Sequence, residues 1–339
     1  MSVRRAPIFD VLPTFDRPWL RLIDAPTPVH HLKTLGSQIN HSNLWVKLDG
    51  LSGDLYGGSK IRNLEFLLGE TLKRRSSKVV TFGAVESNFA VATALYAQSL
   101  NIKADLFLAN FSHSDDEVVA SDLNVLSRMG ATVHYVSKFE CFVRHLDAKH
   151  LGFSSARDKS ATIIPIGGAC RVGCLGLLNA TIELHQQIRS GAIPAPSAIF
   201  LPLGSGGTIA GLHAGLSLLG MSCSIIGIRI AGGPSPQSLL RLSSQTLSYA
   251  HANYGSLIPT TSSTPKIEIW NSDPFAGYAI PADETGRVTR RLLETEGIHL
   301  DQKYTAKAMS VFLDYVVRSQ DRRPLLFWNT CNNRPEPWR

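Results

Sequence analysis

The stretch Tyr56-Gly57-Gly58-Ser59-Lys60 joins two glycines to a lysine at the opening of an amphipathic segment. The glycines let the backbone turn sharply and lie close to a bound group. A primary amine held at such a junction can condense with an aldehyde or serve as a base. Taken alone, so short a motif also reads as a surface lysine after a turn. A second stretch, Gly204-Ser205-Gly206-Gly207-Thr208, follows an apolar run and opens a helix. Backbone N–H groups, the positive end of the helix dipole and two hydroxyls would together hold a dianion such as phosphate. No Gly-Lys-Ser/Thr follows, so this is not a Walker loop. The Gly-x-Gly-x-x-Gly spacing with an acidic residue about 20 positions on is missing too. A glycine turn kept for close strand-helix packing is the alternative.

The elements that must position these groups alternate along the chain. Residues 1–42 carry several prolines and little periodicity, which predicts an arm with one short helix. Leu44-Trp45-Val46-Lys47-Leu48 is the first strand, and the helix from Lys60 to about Arg75 puts Leu64, Leu67, Leu68 and Leu72 on one side. Strands at 79–82, 104–108, 132–136 and 162–164 alternate with helices at 87–100, 116–129 and 141–151. A parallel four-strand lobe follows, because strand-helix-strand units need crossovers. A long helix at 172–188 and strands at 198–201, 224–230, 266–269 and 325–328, with helices between them, form a second lobe. Residues 251–265, rich in Ser, Thr and Pro, read as loop.

An amine at one junction and a phosphate cradle at another suit a cofactor with both an aldehyde and a phosphate, and pyridoxal 5'-phosphate meets that description. At these residues the chain resembles the fold-type II pyridoxal-phosphate enzymes. Within them it is similar to the 1-aminocyclopropane-1-carboxylate deaminase and D-cysteine desulfhydrase branch, from Leu44 to about Thr330. Gly57-Gly58-Ser59-Lys60-Ile61-Arg62-Asn63-Leu64-Glu65 resembles the family's Gly-Gly-Asn-Lys-x-Arg-Lys-Leu-Glu, which implies that Lys60 is the Schiff-base lysine. Gly83-Ala84-Val85-Glu86-Ser87-Asn88 resembles the stretch whose Asn supports the ring hydroxyl oxygen and whose Ser contacts substrate, roles that pass to Asn88 and Ser87. Ser87-Asn88 also reads as a helix N-cap, which is compatible with that role. Gly204, Ser205, Gly206, Gly207 and Thr208 match the phosphate loop. Glu296 to Ala308 resembles a segment that makes Tyr304 an active-site tyrosine, Tyr278 in Ala276-Gly277-Tyr278 matches a second, and Thr330 stands where a threonine faces the ring nitrogen.

The resemblance implies an α/β fold of two open parallel-sheet domains, tryptophan synthase beta-like, with the cofactor in the cleft between them. Residues 1–62 and 169–339 would form the larger cofactor-binding domain and 63–168 the smaller inserted one. It also implies a lyase or deaminase acting on a small amino acid. Thr305 after Tyr304 fits the desulfhydrase pattern, with alpha,beta-elimination to a 2-oxo acid, ammonia and sulfide. A 1-aminocyclopropane-1-carboxylate deaminase, or a degenerate member with altered or no turnover, is the alternative. Several positions depart from the family: Ser59 replaces asparagine, Glu86 replaces glutamine, Phe89 replaces a histidine, and Asn329-Thr330-Cys331-Asn332-Asn333 replaces His-Thr-Gly-Gly. Glu86 adds negative charge, Phe89 removes a donor for a substrate carboxylate, and non-glycine residues after Thr330 would strain a turn that needed positive φ.

At 339 residues the chain is long enough for two lobes, and its 44% hydrophobic and 18% charged residues suit a globular enzyme. The net charge of +7 comes from scattered basic pairs such as Arg74-Arg75 and Arg290-Arg291 rather than a basic stripe with aromatics. This argues against a nucleic-acid partner and for an anionic cofactor or substrate. Five cysteines form no paired framework, which points to a reducing compartment. Cys170 and Cys174 lack further zinc ligands and read as structural, so no metal is expected. No stretch has the length of a membrane span. A cytoplasmic homodimer without membrane partners is the expectation.

Overall fold

The computed structural model describes residues 5–112, 114–150, 160–230, 232–251, 265–271, 283–334 and 336. Strands β1 to β10 run over Val29–His31, Leu44–Leu48, Lys78–Ala84, Lys103–Ala109, Thr132–Tyr135, Ala161–Ile164, Ala198–Leu203, Ser224–Arg229, Ile267–Asn271 and Leu325–Asn329. Helices α1 to α5 are Ile8–Val11, Lys33–Gln38, Ser59–Lys73, Asn88–Ser99 and Asp116–Arg128. Helices α6 to α11 are Lys138–His150, Cys174–Arg189, Gly207–Leu218, Pro236–Ala250, Asp283–Glu296 and Thr305–Arg318.

Two sheets result. The smaller has the order β5-β4-β3-β6, all parallel. The larger has the order β1-β2-β10-β7-β8-β9, parallel except for β1, which runs antiparallel to β2 at one edge. The α/β class and its two parallel sheets are those expected from the alternating pattern. The arm is richer than its proline content suggested. It carries two short helices and β1, a strand of three half-buried residues too short to show a period.

Central strands are apolar on both faces because helices cover both. Every residue of β10, Leu325-Leu326-Phe327-Trp328-Asn329, is buried. Helices α7 and α8 pack side by side, with Gly211 and Gly215 of α8 facing Leu177, Leu178 and Thr181 of α7. In open sheets of this kind, ligands sit beyond the carboxyl ends of the strands. Those ends carry the Lys60 turn after β2, the Glu86-Ser87-Asn88 turn after β3, the Gly204–Gly206 turn after β7 and Thr330 after β10. No helix among the described residues is long and apolar enough to cross a membrane.

Candidate active site

The turn before Lys60 is built from backbone contacts that only a small residue allows. Gly58 has φ 100°, and a Cβ there would lie 2.6 Å from Thr330 O. Its N–H donates to Asp49 O at 2.8 Å, and Ser59 N–H donates to Thr330 O at 3.2 Å. Lys60 thus enters α3 directly beside the end of β10. Its side chain is half-buried, and burial pulls the amine down to about 8, with the neighbouring Cys174 sulfur a weak opposing influence. A neutral amine is thereby accessible near neutral pH.

Behind the turn sits a buried ion network. Arg62 donates to Asp49 (2.8 and 3.0 Å) and to Glu183 (2.9 and 3.2 Å), and Lys47 Nζ donates to the same Glu183 at 2.5 Å. Trp328 Nε1 of β10 donates to Asp49 Oδ2 at 2.7 Å. The two cations hold the Glu183 carboxyl down at about 2 against the effect of burial.

The phosphate-type loop stands beside this turn. Gly206 has φ 86°, and its Cβ would lie 2.5 Å from Leu239 Cδ2. Gly207 then starts α8, leaving its first N–H groups without partners within the helix. Thr208 Oγ1 faces Ser59 Oγ at 3.5 Å, and Asn63 Nδ2 donates to Gly167 O at 3.3 Å. The first turns of α3 and α8 are therefore neighbours. Ser205 Oγ is buried with no hydrogen-bond partner among the described residues. An unpaired buried hydroxyl is costly, and a dianion on this loop would supply its partner.

The third helix start is that of α4. Ser87 caps it, its Oγ accepting from Ala90 N at 3.3 Å, and Asn88 is its first residue. Both are half-buried, and Asn88 Oδ1 accepts from Tyr56 Oη at 2.9 Å, which ties α4 to the lysine turn. Tyr304 is the half-buried residue preceding α11, its N–H on Asp301 Oδ1 at 2.6 Å. Its loop is fastened to the end of β10 by Asn329 Nδ2, which donates to His299 O at 3.0 Å. Tyr278 lies outside the described residues. Thr330 and Thr208 thus adjoin Lys60 through its neighbour Ser59, Asn88 is tied to the same turn through Tyr56, and Ser205, Gly206 and Gly207 lead into Thr208, with Ser87 and Tyr304 at the starts of α4 and α11 and Gly204 exposed between β7 and α8.

Three departures have visible consequences. Cys331, Asn332 and Asn333 take no positive φ, so the expected strain is absent. Instead Asn332 Oδ1 accepts from Gly57 N at 2.7 Å, and Arg334 donates to Gly53 O (2.8 Å) and Leu51 O (2.9 Å), which clamps the turn before Lys60. Phe89 is 2% exposed and lies against Gly168, where a Cβ would meet its ring at 2.9 Å. Glu86 is buried, with Oε1 held by Ser112 and by Ser114 at 2.9 Å while Oε2 has no partner among the described residues. Thr305 spends its hydroxyl on Asp301 Oδ2 at 2.7 Å. Sequence reasoning missed Tyr56, Arg62 and Arg334. Cys174, read as structural, is buried beside Lys60 and donates to Gly207 O at 3.4 Å. Arg62 could have been suspected from its place two residues after the lysine, on the face otherwise filled by core residues.

Comparison with known proteins identifies the family. A family model described as pyridoxal-phosphate dependent enzyme matches residues 20–325. A Thermotoga maritima protein provisionally named 1-aminocyclopropane-1-carboxylate deaminase is 31% identical over 90% of this chain and 93% of its own. D-cysteine desulfhydrase of Salmonella choleraesuis is 28% identical over 92% of this chain and 93% of its own. A crystal structure of an ACC deaminase homologue superposes with a TM-score of 0.77 at 28% identity, covering 97% of this chain and 95% of that one. A fungal L-serine ammonia-lyase from Rhizomucor miehei, at 15% identity and a TM-score of 0.60, shares the fold, over 92% of this chain and 95% of its own.

Proposed function

We propose, because the chain belongs to the pyridoxal-phosphate dependent enzymes, that it is a lyase converting a small thiol-bearing amino acid and one water into a 2-oxo acid, ammonia and sulfide. One observation carries this reading: a half-buried lysine amine brought down to about 8 stands beside a helix start whose Ser205 hydroxyl lacks a partner. The donor set fits the cofactor. Ser205, Thr208 and the N–H groups of Gly206 and Gly207 would take its phosphate, Asn88 its ring oxygen and Thr330 its ring nitrogen. When bound, the cofactor supplies an aldehyde for amine condensation and a ring that accepts the electron pair released at the substrate's alpha carbon.

The residues divide the remaining work. Lys60, once freed by the incoming amino group, removes the alpha proton at Nζ, for which an amine near 8 is suited. Ser87 orients the substrate carboxylate, and Tyr304 Oη delivers a proton to the departing sulfur, with Tyr278 as its second. Asn332 and Arg334 keep the lysine turn in one geometry. The likeness to D-cysteine desulfhydrase and the Tyr304-Thr305 pair favour elimination. Because Thr305 is turned to Asp301, it acts by holding the loop under Tyr304 rather than by touching substrate. The likeness to the Thermotoga protein favours 1-aminocyclopropane-1-carboxylate deamination as the second reading. Residues 1–62 with 169–339, and 63–168, are taken as the two domains, since all four strands of the smaller sheet fall within residues 78–164.

The purified protein with pyridoxal phosphate should show a visible band that is lost in Lys60→Ala, and borohydride should leave the reduced cofactor on the Lys60 peptide. Incubation with D-cysteine should release 2-oxo acid and sulfide together. Release of 2-oxobutyrate from 1-aminocyclopropane-1-carboxylate alone would favour the second reading, and no product from either amino acid would sink both.

A further inference from the structure

Tyr56 precedes the glycines of the lysine turn and is buried, 1% exposed. Helix α4 grips it at two points eight residues apart. Tyr96 Oη donates to Tyr56 O at 2.9 Å, close enough that a Cβ on Gly53 would lie 2.1 Å from that hydroxyl. At the other end Tyr56 Oη donates to Asn88 Oδ1 at 2.9 Å. A carboxamide carries its acceptor and its donor on one rigid plane, so fixing Oδ1 fixes the direction of Nδ2. Nδ2 makes no hydrogen bond to any described residue, which leaves its two hydrogens available at the start of α4.

We propose that Tyr56 is a positioning residue. Its hydroxyl sets the orientation of the Asn88 amide so that Nδ2 donates to the ring oxygen of the bound cofactor. This rests on the cofactor placement given under Proposed function and goes beyond it by assigning the group that aims Asn88. Phenylalanine at this position would keep the packing and lose the hydrogen bond to Asn88. Asn88 could then turn about its last torsion, and its donor would be shared between two directions.

A donor on the ring oxygen favours the form of the bound cofactor from which the proton has left. Its loss therefore raises the pH at which the visible band shifts. The experiment is a pH titration of that band in wild type, Tyr56→Phe, Asn88→Ala and the double variant, each reconstituted with pyridoxal phosphate, alongside the cofactor dissociation constant. Tyr56→Phe should move the midpoint up by roughly one pH unit and weaken cofactor binding severalfold. In the Asn88→Ala background the same substitution should move neither. An unmoved midpoint in Tyr56→Phe overturns the proposal, and so does an equal shift in both backgrounds, which would mean that Tyr56 acts without Asn88. A wild-type protein with no visible band would overturn the cofactor placement itself, and this proposal with it. If Tyr56→Phe fails to fold, Asn88→Asp decides. There the second carboxylate oxygen replaces Nδ2, so the band midpoint must rise at least as far as in Asn88→Ala, and a wild-type midpoint refutes the role of the amide.

Discussion

Arg62 grips Asp49 with two parallel hydrogen bonds, Nη2 to Oδ1 at 2.8 Å and Nε to Oδ2 at 3.0 Å, and neither side chain reaches solvent. The same guanidinium reaches Glu183 of α7, so one cation of α3 neutralises carboxylates from two other elements. Asp49 O also accepts from Gly58 N, which links the network to the backbone before Lys60. Removing the guanidinium in Arg62→Ala leaves two buried carboxylates to Lys47 alone. It should cost about 3–5 kcal/mol in denaturant unfolding. Arg62→Lys should rescue little of this, because an ammonium cannot serve both carboxylates through a planar fork. Unfolding midpoints within experimental error of wild type would show that the network does not hold the turn.

Ser205→Ala should change two properties in opposite directions. Without cofactor the variant loses an unpaired buried hydroxyl and should be as stable as wild type or about 1 kcal/mol more so. Its pyridoxal-phosphate affinity should fall about tenfold, the effect of one lost hydrogen bond to a dianion. Paired thermal melts and cofactor titrations test both signs. Weaker binding with an equal loss of stability would mean that the hydroxyl serves the fold instead.

The Lys60 amine, lowered to about 8 by burial, must be neutral to attack an aldehyde. Capture of pyridoxal phosphate by cofactor-free protein should therefore quicken about tenfold per pH unit below 8 and level off above it. Stopped-flow absorbance gives the profile. A rate still climbing toward pH 10 would place the lysine in water.

Glu65 is 1% exposed, and burial pushes its carboxyl up to about 7 although it accepts from Leu22 N at 3.0 Å and Ile23 N at 3.3 Å. The folded state holds this proton more tightly than the unfolded chain. The carboxyl's favourable contribution is thus complete at acid pH and lost as pH rises through 7. Glu65→Gln keeps the acceptor and removes the titration. Relative to wild type it should gain up to about 3 kcal/mol between pH 5 and pH 8. A difference that does not vary with pH would contradict the raised value.

The sheets were legible because each strand is a short apolar run between turn residues, and each crossover helix has its own apolar face. Lys60, Asn88 and the Gly204–Thr208 loop were legible for a related reason, since each sits at a strand-to-helix junction marked by glycine or a capping residue. Arg62 was harder to read because its place in the helix hints at burial but nothing local names its partners. Its partners Asp49 and Glu183 come from a preceding turn and from α7, 121 residues later. Tyr56 and Asn88 were likewise separate observations in one dimension, and only the fold brings phenol and amide to 2.9 Å. Of the clamp residues, Asn332 was visible as part of a departure from the family and Arg334 was not. That the clamp would compensate for the glycines it replaces required knowing that Leu51, Gly53 and Gly57 lie opposite.

Strand β10 lies third in the larger sheet, between β2 and β7, yet it is the last of the ten in the chain. During synthesis, β1 with β2 and β7 with β8 and β9 emerge as two separate ribbons, each presenting an open apolar edge. The lysine turn has been translated long before, but Thr330, Asn332 and Arg334 cannot yet close on it. In a nascent chain the reactive amine therefore stands in an unformed turn until residues 325–334 have joined the sheet, so the part of the molecule made early is the part completed last.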